Sequence, residues 1–269
     1  MKTRRTATEG DAVFRSIYRK LARSWGPQHW WPAETMFEVI VGAILAQNTS
    51  WRNVERALQA LRSAGRLSLT GIGTLRLSRL EKLVRSSGCY RQKAQRLKTF
   101  VEYVGENYGG SLEKMFSAPT QQLRSELLAL NGIGPETADA ILLYAGRHEI
   151  FVVDAYARRV LERHAAIGSA AKYDDVRALV ERALAQEKRI VRSPRSLRAD
   201  APPAHEPSPI STAQRSRLAQ VYNEMHGFFV QLGKHYCYRV GPDCAHCPLR
   251  EFLPKNSLHF ELPESKLQL

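Results

Sequence analysis

The stretch LLALNGIGPETADAILLYAG, Leu127 to Gly146, decides how this chain is read. Its apolar residues recur every three or four positions on both sides of Asn131-Gly132-Ile133-Gly134, so two amphipathic helices are joined by a four-residue turn. Pro135 suits the first position of the second helix, where a missing backbone N–H removes no helical hydrogen bond. Glycine lets the turn approach another molecule closely, and the exposed N–H groups that open the second helix form an anion site. On these residues alone the turn is either a phosphate-binding hairpin or an ordinary helix connector.

Outward from the hairpin, the same periodicity continues. Val13, Phe14, Ile17, Tyr18, Leu21 and Trp25 form one stripe, and Phe37, Ile40, Val41, Ile44 and Leu45 another. Val54, Leu58 and Leu61 follow, then Leu80, Leu83 and Val84, then Ala94, Leu97, Val101 and Val104. Each predicts a helix with one buried face. The best strand-like segment, Glu149 to Val153, is too short to imply a sheet, so the fold class is all-α. Residues 192–217 hold five of the thirteen prolines and five arginines with almost no large apolar side chains. They read as a flexible insertion, either a solvated linker or an auxiliary contact to phosphates. Helical spacing resumes at Leu218, Val221, Tyr222 and Met225.

The chain has 269 residues, with 40 Lys plus Arg against 26 Asp plus Glu, a formal charge of +14 that favours a polyanionic partner. At 43% hydrophobic and 25% charged it is not globally disordered. No apolar run approaches the roughly 20 residues that span a bilayer, and MKTRR is not followed by an apolar segment. The expectation is a soluble protein without membrane contact, cytoplasmic and nucleoid-associated if bacterial. Three of the four cysteines lie between Cys237 and Cys247, with Cys89 alone. That pattern suits a ligand cluster plus a single thiol in a reducing compartment better than a secreted disulfide framework.

Twenty residues after Gly134, Phe151-Val152-Val153 leads into Asp154 and the helical Ala155-Tyr156-Ala157-Arg158-Arg159-Val160-Leu161. LNGIGPETADAIL followed by VVDAYARRVL resembles the helix-hairpin-helix, Gly-Pro-Asp superfamily of base-excision DNA glycosylases, which includes endonuclease III and the adenine mismatch glycosylases. The resemblance runs from about Trp30 to Cys247, interrupted mainly at 192–217. It implies a helical barrel domain over 36–147, with the helix-hairpin-helix at 120–146. A second helical domain is implied over 12–35 and 148–269, carrying a cysteine loop at 237–253, after a flexible start at 1–11. Double-stranded DNA is the implied partner, and a monomer the default state.

Read by itself, Asp154 is a helix N-cap. The resemblance implies that it also helps to cleave the N-glycosidic bond, and the chemistry suits a carboxylate: an anion stabilises an oxocarbenium-like sugar and orients water. Relatives that also nick the strand carry a lysine where this chain has Glu136; its amine attacks the sugar C1′ and forms a Schiff base. A carboxylate cannot form an imine. The resemblance therefore implies a monofunctional glycosylase with water as nucleophile and without AP lyase activity. Glu136 itself either complements the helix dipole or contacts base or water.

The segments WWPAE, from Trp30, and GAILAQNTSW, ending at Trp51, are similar to the 3-methyladenine glycosylases of the endonuclease III type. This resemblance implies a base pocket of Trp30, Trp31, Pro32, Trp51 and Glu136; on composition alone the tryptophans equally close a core. Indole faces attract a cationic alkylated purine, whose glycosidic bond is already weak and needs little acid catalysis. A base within a duplex must be flipped out. Gln47 matches the position that fills the gap, or is a polar residue at a helix end. Gly88-Cys89-Tyr90 with Lys93 resembles a second DNA-facing turn; Cys89 is then a wedge, or else a buried thiol. Gly132, Ile133, Gly134 and Thr137 complete the implied DNA contacts. The rival substrates are uracil, mismatched thymine or an oxidised pyrimidine, and the rival class is a binder of damaged DNA without catalysis.

Cys237-x6-Cys244-x2-Cys247, followed by Pro248, resembles an iron–sulfur loop of pattern C-x6-C-x2-C-x5-C, with Leu253 at the fourth position. A 4Fe–4S cluster with an incomplete ligand set, zinc held with His246 or His259, or no metal are the three alternatives. Lys234, Arg239 and Arg250 would serve phosphate contact in any of them. No cofactor is needed for the hydrolysis itself.

Overall fold

The computed structural model describes residues 7–188, 190 and 204–254. The described residues form helices and connecting turns, with no strand. None of these helices is long and apolar enough to cross a membrane. The chain divides into two compact units. One contains residues 31–150 together with 206–219; the other takes the remaining described residues.

The 31–150 unit begins with α2 (Met36–Leu45), α1 belonging to the other unit. It continues through α3 (Trp51–Ser63), α4 (Leu69–Gly73), α5 (Leu77–Leu83), α6 (Tyr90–Tyr108), α7 (Leu112–Phe116), α8 (Thr120–Ala129) and α9 (Pro135–Ala140). Helix α2 is its axis: every residue from Phe37 to Leu45 is buried. Each large apolar side chain taken fully out of water there stabilises the fold by about 1.5–3 kcal/mol. Thr35 caps it, its Oγ1 accepting the Glu38 N–H at 3.1 Å, and buried Glu38 pairs with Arg62 of α3. After α9 the helix widens into a π-turn over Ile141–Ala145, closed by the Gly146 N–H on the Ile141 carbonyl at 3.1 Å.

Of the proline-rich stretch, residues 192–203 lie outside the described residues. The stretch continues as ordered structure in the 31–150 unit. Ser208 and Ser211 form a capping box that opens α12 (Pro209–Thr212). The Ser208 hydroxyl also accepts the Ala33 N–H at 3.2 Å, and the Ile210 N–H donates to the Ala33 carbonyl at 3.2 Å. This differs from the expectation of a flexible insertion throughout 192–217, because two serines and one buried isoleucine suffice to fasten a short segment.

The other unit holds α1 (Ala7–Trp25), α10 (Ala155–Arg163), α11 (Tyr173–Leu184) and most of α13 (Arg217–His235). Helix α1 packs along α11. Tyr18 and Trp25 meet Phe228 of α13 at 6.0 and 6.2 Å between ring centroids. Gly233 is required for the approach of α13 to α10: a Cβ there would lie 2.1 Å from Cδ1 of Tyr156. The unit boundary falls between Trp30 and Trp31.

Candidate functional site

The hairpin between α8 and α9 is held by a buried ion pair. Arg124 of α8 donates through Nε and Nη2 to the two carboxylate oxygens of Asp139 on α9, at 2.7 and 3.3 Å. Asp139 is fully buried and the Arg124 side chain is 10% exposed. Such a fork fixes the two helices geometrically, and losing one partner strands a buried charge. Neither residue was singled out from the sequence; the signal available was a charge on each helix's apolar face.

Gly132 sits at φ +84°, in the region that glycine favours. A Cβ there would come within 2.0 Å of Arg96 Nε, so the guanidinium lies directly over the turn. Gln47, at the end of α2, ties the arrangement together. Its Nε2 donates to the Gly132 carbonyl at 3.0 Å and to Thr137 Oγ1 at 2.9 Å, and its Oε1 accepts from Arg96. The residue read as a gap filler is thus brought onto the hairpin. Ile133 and Thr137 are buried, Gly134 is half-buried, and Glu136 is exposed.

The second predicted turn is present in part. Cys89 is exposed rather than a buried thiol, at φ +45° directly after Gly88 at +67°. Its exposed side chain and the half-buried Tyr90 begin α6. Lys93 departs from the DNA-contact expectation: it is 1% exposed, and its ammonium donates to the Leu45 and Ser87 carbonyls at 2.9 and 2.5 Å. Burial holds its pKa below the usual lysine value. Lys93 fastens this turn to the end of α2, so it supports the surface instead of forming it.

The adjacent tryptophans also separate. Trp31 packs against Gly42, edge-to-face with half-buried Trp51 at 5.0 Å and tilted against Tyr144 at 5.4 Å. Tyr144, which sequence reading missed, comes from the π-turn; no local pattern announces such a turn. Half-buried Pro32 follows. Trp30 is in the other unit, tilted against His205 at 5.2 Å, with Lys234 Nζ 5.3 Å from its ring centroid. Trp31, Trp51 and Tyr144 thus form one aromatic group within the 31–150 unit, and Trp30 belongs to the other unit.

Asp154 does cap α10: its Oδ1 accepts the Ala157 N–H at 2.7 Å. Its Oδ2 lies 3.6 Å from Nε2 of His226 on α13, a buried histidine that sequence reading missed. The signal was a polar residue inside the apolar run of Met225, Phe228 and Phe229.

Cys237, Cys244 and Cys247 line one small pocket, partly open to solvent, with Leu249 and Leu253. Arginines of α10 hold the loop: Arg159 Nε donates to the Cys237 carbonyl at 2.6 Å, and Arg163 Nη1 donates to Cys237 Sγ at 3.1 Å and the Tyr238 carbonyl at 2.6 Å. Burial pushes the Cys247 thiol up to about 11 and raises that of Cys244. Leu253 presents carbon where a fourth thiolate would stand. Among the described residues no three His, Cys, Asp or Glu side chains are grouped closely enough to hold a metal ion. The donors therefore do not fit a four-thiolate cluster. His246 is exposed, with Nδ1 2.8 Å from Asp243 Oδ1, and His259 lies outside the described residues. Arg239 and Arg250 are exposed and Lys234 is half-buried.

The family model for HhH-GPD superfamily base excision DNA repair proteins matches residues 41–186. A protein of Methanocaldococcus jannaschii named as a DNA repair glycosylase is 40% identical over 88% of this chain and 93% of its own length. The crystal structure of the H. pylori 3-methyladenine DNA glycosylase bound to 1,N6-ethenoadenine is similar, with TM-score 0.63 and 28% identity over 86% of this chain and 98% of that one. A non-covalent endonuclease III–DNA complex shares the fold, with TM-score 0.65 and 18% identity over 93% of this chain and 96% of that one. The chain belongs to the HhH-GPD superfamily of base excision DNA repair glycosylases.

Proposed function

We propose that this protein is a monofunctional DNA glycosylase that hydrolyses the N-glycosidic bond of an extruded alkylated purine, 3-methyladenine being the type substrate. The observation that carries this reading is the pairing of an aromatic group, Trp31, Trp51 and Tyr144, with a carboxylate at the position where strand-nicking relatives carry lysine, Glu136. A cationic purine stacks on indole and departs as a neutral base, so the bond breaks without a strong proton donor. As C1′ loses the base, its positive charge develops in the field of the Asp154 carboxylate. Water then adds to C1′ and gives up a proton, leaving an abasic sugar. The H. pylori relative's substrate supports the choice of lesion.

The test separates capping from catalysis. Asn caps helices as well as Asp, so Asp154→Asn keeps the fold while removing the charge. The expected result is an about 10³-fold fall in release of 3-methyladenine, with duplex binding retained. Full activity of the variant would leave Asp154 as a cap alone. Faster release of uracil than of 3-methyladenine by the wild-type protein would overturn the assigned lesion.

A further inference from the structure

We infer that His226 is a positioning residue for the Asp154 carboxylate; this rests on the reading of Asp154 as the catalytic anion. The two carboxylate oxygens have different surroundings. Oδ1 is committed to the Ala157 N–H at 2.7 Å, which leaves Oδ2 as the oxygen able to face a sugar. Oδ2 is 3.6 Å from Nε2 of His226, whose side chain is 5% exposed while that of Asp154 is 15% exposed. Phe151 stands edge-on to the imidazole at 6.3 Å, so the ring is packed within the core.

With its side chain 15% exposed, the Asp154 carboxylate has lost most of its hydration, which donors or positive charge must replace. One backbone N–H is provided by the cap. An N–H at His226 Nε2 provides the second favourable dipole. At 3.6 Å this contact is longer than a hydrogen bond, so it steadies the anion without neutralising it. It also fixes the rotation of the carboxylate about its capped oxygen. The other carboxylates carried by neighbouring elements are engaged: Glu181 of α11 accepts the Phe151 N–H at 2.9 Å, and Glu224 of α13 accepts the Gln28 N–H at 3.2 Å.

Two amides of one chemistry test the geometry. Gln places its side-chain nitrogen near the position of a histidine Nε2, whereas Asn reaches only as far as Nδ1. The inference expects His226→Gln to stay within about threefold of the wild-type single-turnover rate, and His226→Asn to fall at least about tenfold below it, with equal duplex affinity in both. In the Asp154→Asn background the two substitutions should then be indistinguishable. Equal rates for the two amides would overturn the role of His226, as would an undiminished difference between them in the Asp154→Asn background. An active Asp154→Asn protein would instead overturn the underlying reading of Asp154, so the two failures are distinct.

Discussion

The hairpin and the cysteine loop solve one problem in different ways. Each is an irregular segment that must be held rigidly, and each carries a residue that differs from the motif it resembles: Glu136 where strand-nicking relatives carry lysine, Leu253 at the position of a fourth cysteine. The hairpin is fixed by side chains inside it and beside it, namely the Arg124–Asp139 pair and the bonds of Gln47 to Gly132 and Thr137. The loop is held by Arg159 and Arg163 of α10 donating to its carbonyls, together with bonds of its own such as the Asp243 N–H to the Tyr236 carbonyl at 2.8 Å. The lesson is that reactive positions can change while their scaffolds persist, so scaffold identity alone does not decide the reaction or the metal.

The comparison can be broken first at its strongest joint. Arg124→Ala leaves Asp139 as a buried charge without its fork and should lower stability by about 3–5 kcal/mol, read as a shifted denaturant midpoint. A loss under 1 kcal/mol would mean that this ion pair does not hold the hairpin. At the loop, Arg159→Ala removes charged hydrogen bonds to carbonyls and should cost about 1.5–3 kcal/mol. A larger loss there than in Arg124→Ala would reverse the ranking of the two scaffolds. Lys93→Ala is expected to cost about 1–3 kcal/mol, because it strands the Leu45 and Ser87 carbonyls. If the same variant instead weakens DNA binding without changing stability, Lys93 belongs to the surface after all.

The smallest effects on folding should come from the departing residues themselves. Glu136 is exposed and Leu253 half-buried, so Glu136→Lys and Leu253→Cys should each change stability by less than about 1 kcal/mol. The chemistry should change nonetheless. Leu253→Cys completes four thiolates, so reconstitution with iron and sulfide should give it visible cluster absorbance that exceeds the wild type's. Equal absorbance in both proteins would show that Leu253 does not limit the ligand set.

Much of this organisation is legible in the sequence. The hairpin announces itself because helical spacing, Gly132 and Pro135 act locally, and Asp154 announces its cap for the same reason. What stays hidden depends on contacts distant along the chain. Trp30 and Trp31 are chain neighbours, and nothing local shows that they belong to different units. Lys93 reads as surface charge because the two carbonyls that bury it belong to Leu45 and Ser87. His226 meets Asp154 across 72 positions. The ordered end of the proline-rich stretch escapes composition because Ser208 and Ile210 are two residues in a long polar background.

The central claim, hydrolysis without strand cleavage, is tested most directly with end-labelled duplexes carrying a single alkylated purine, each reaction divided and run with and without hot alkali, and with borohydride present. The account predicts breaks at the lesion only after alkali and no protein trapped on the DNA. Breaks without alkali, together with a borohydride-trapped complex, would show that another amine performs the lysine's chemistry and would contradict it.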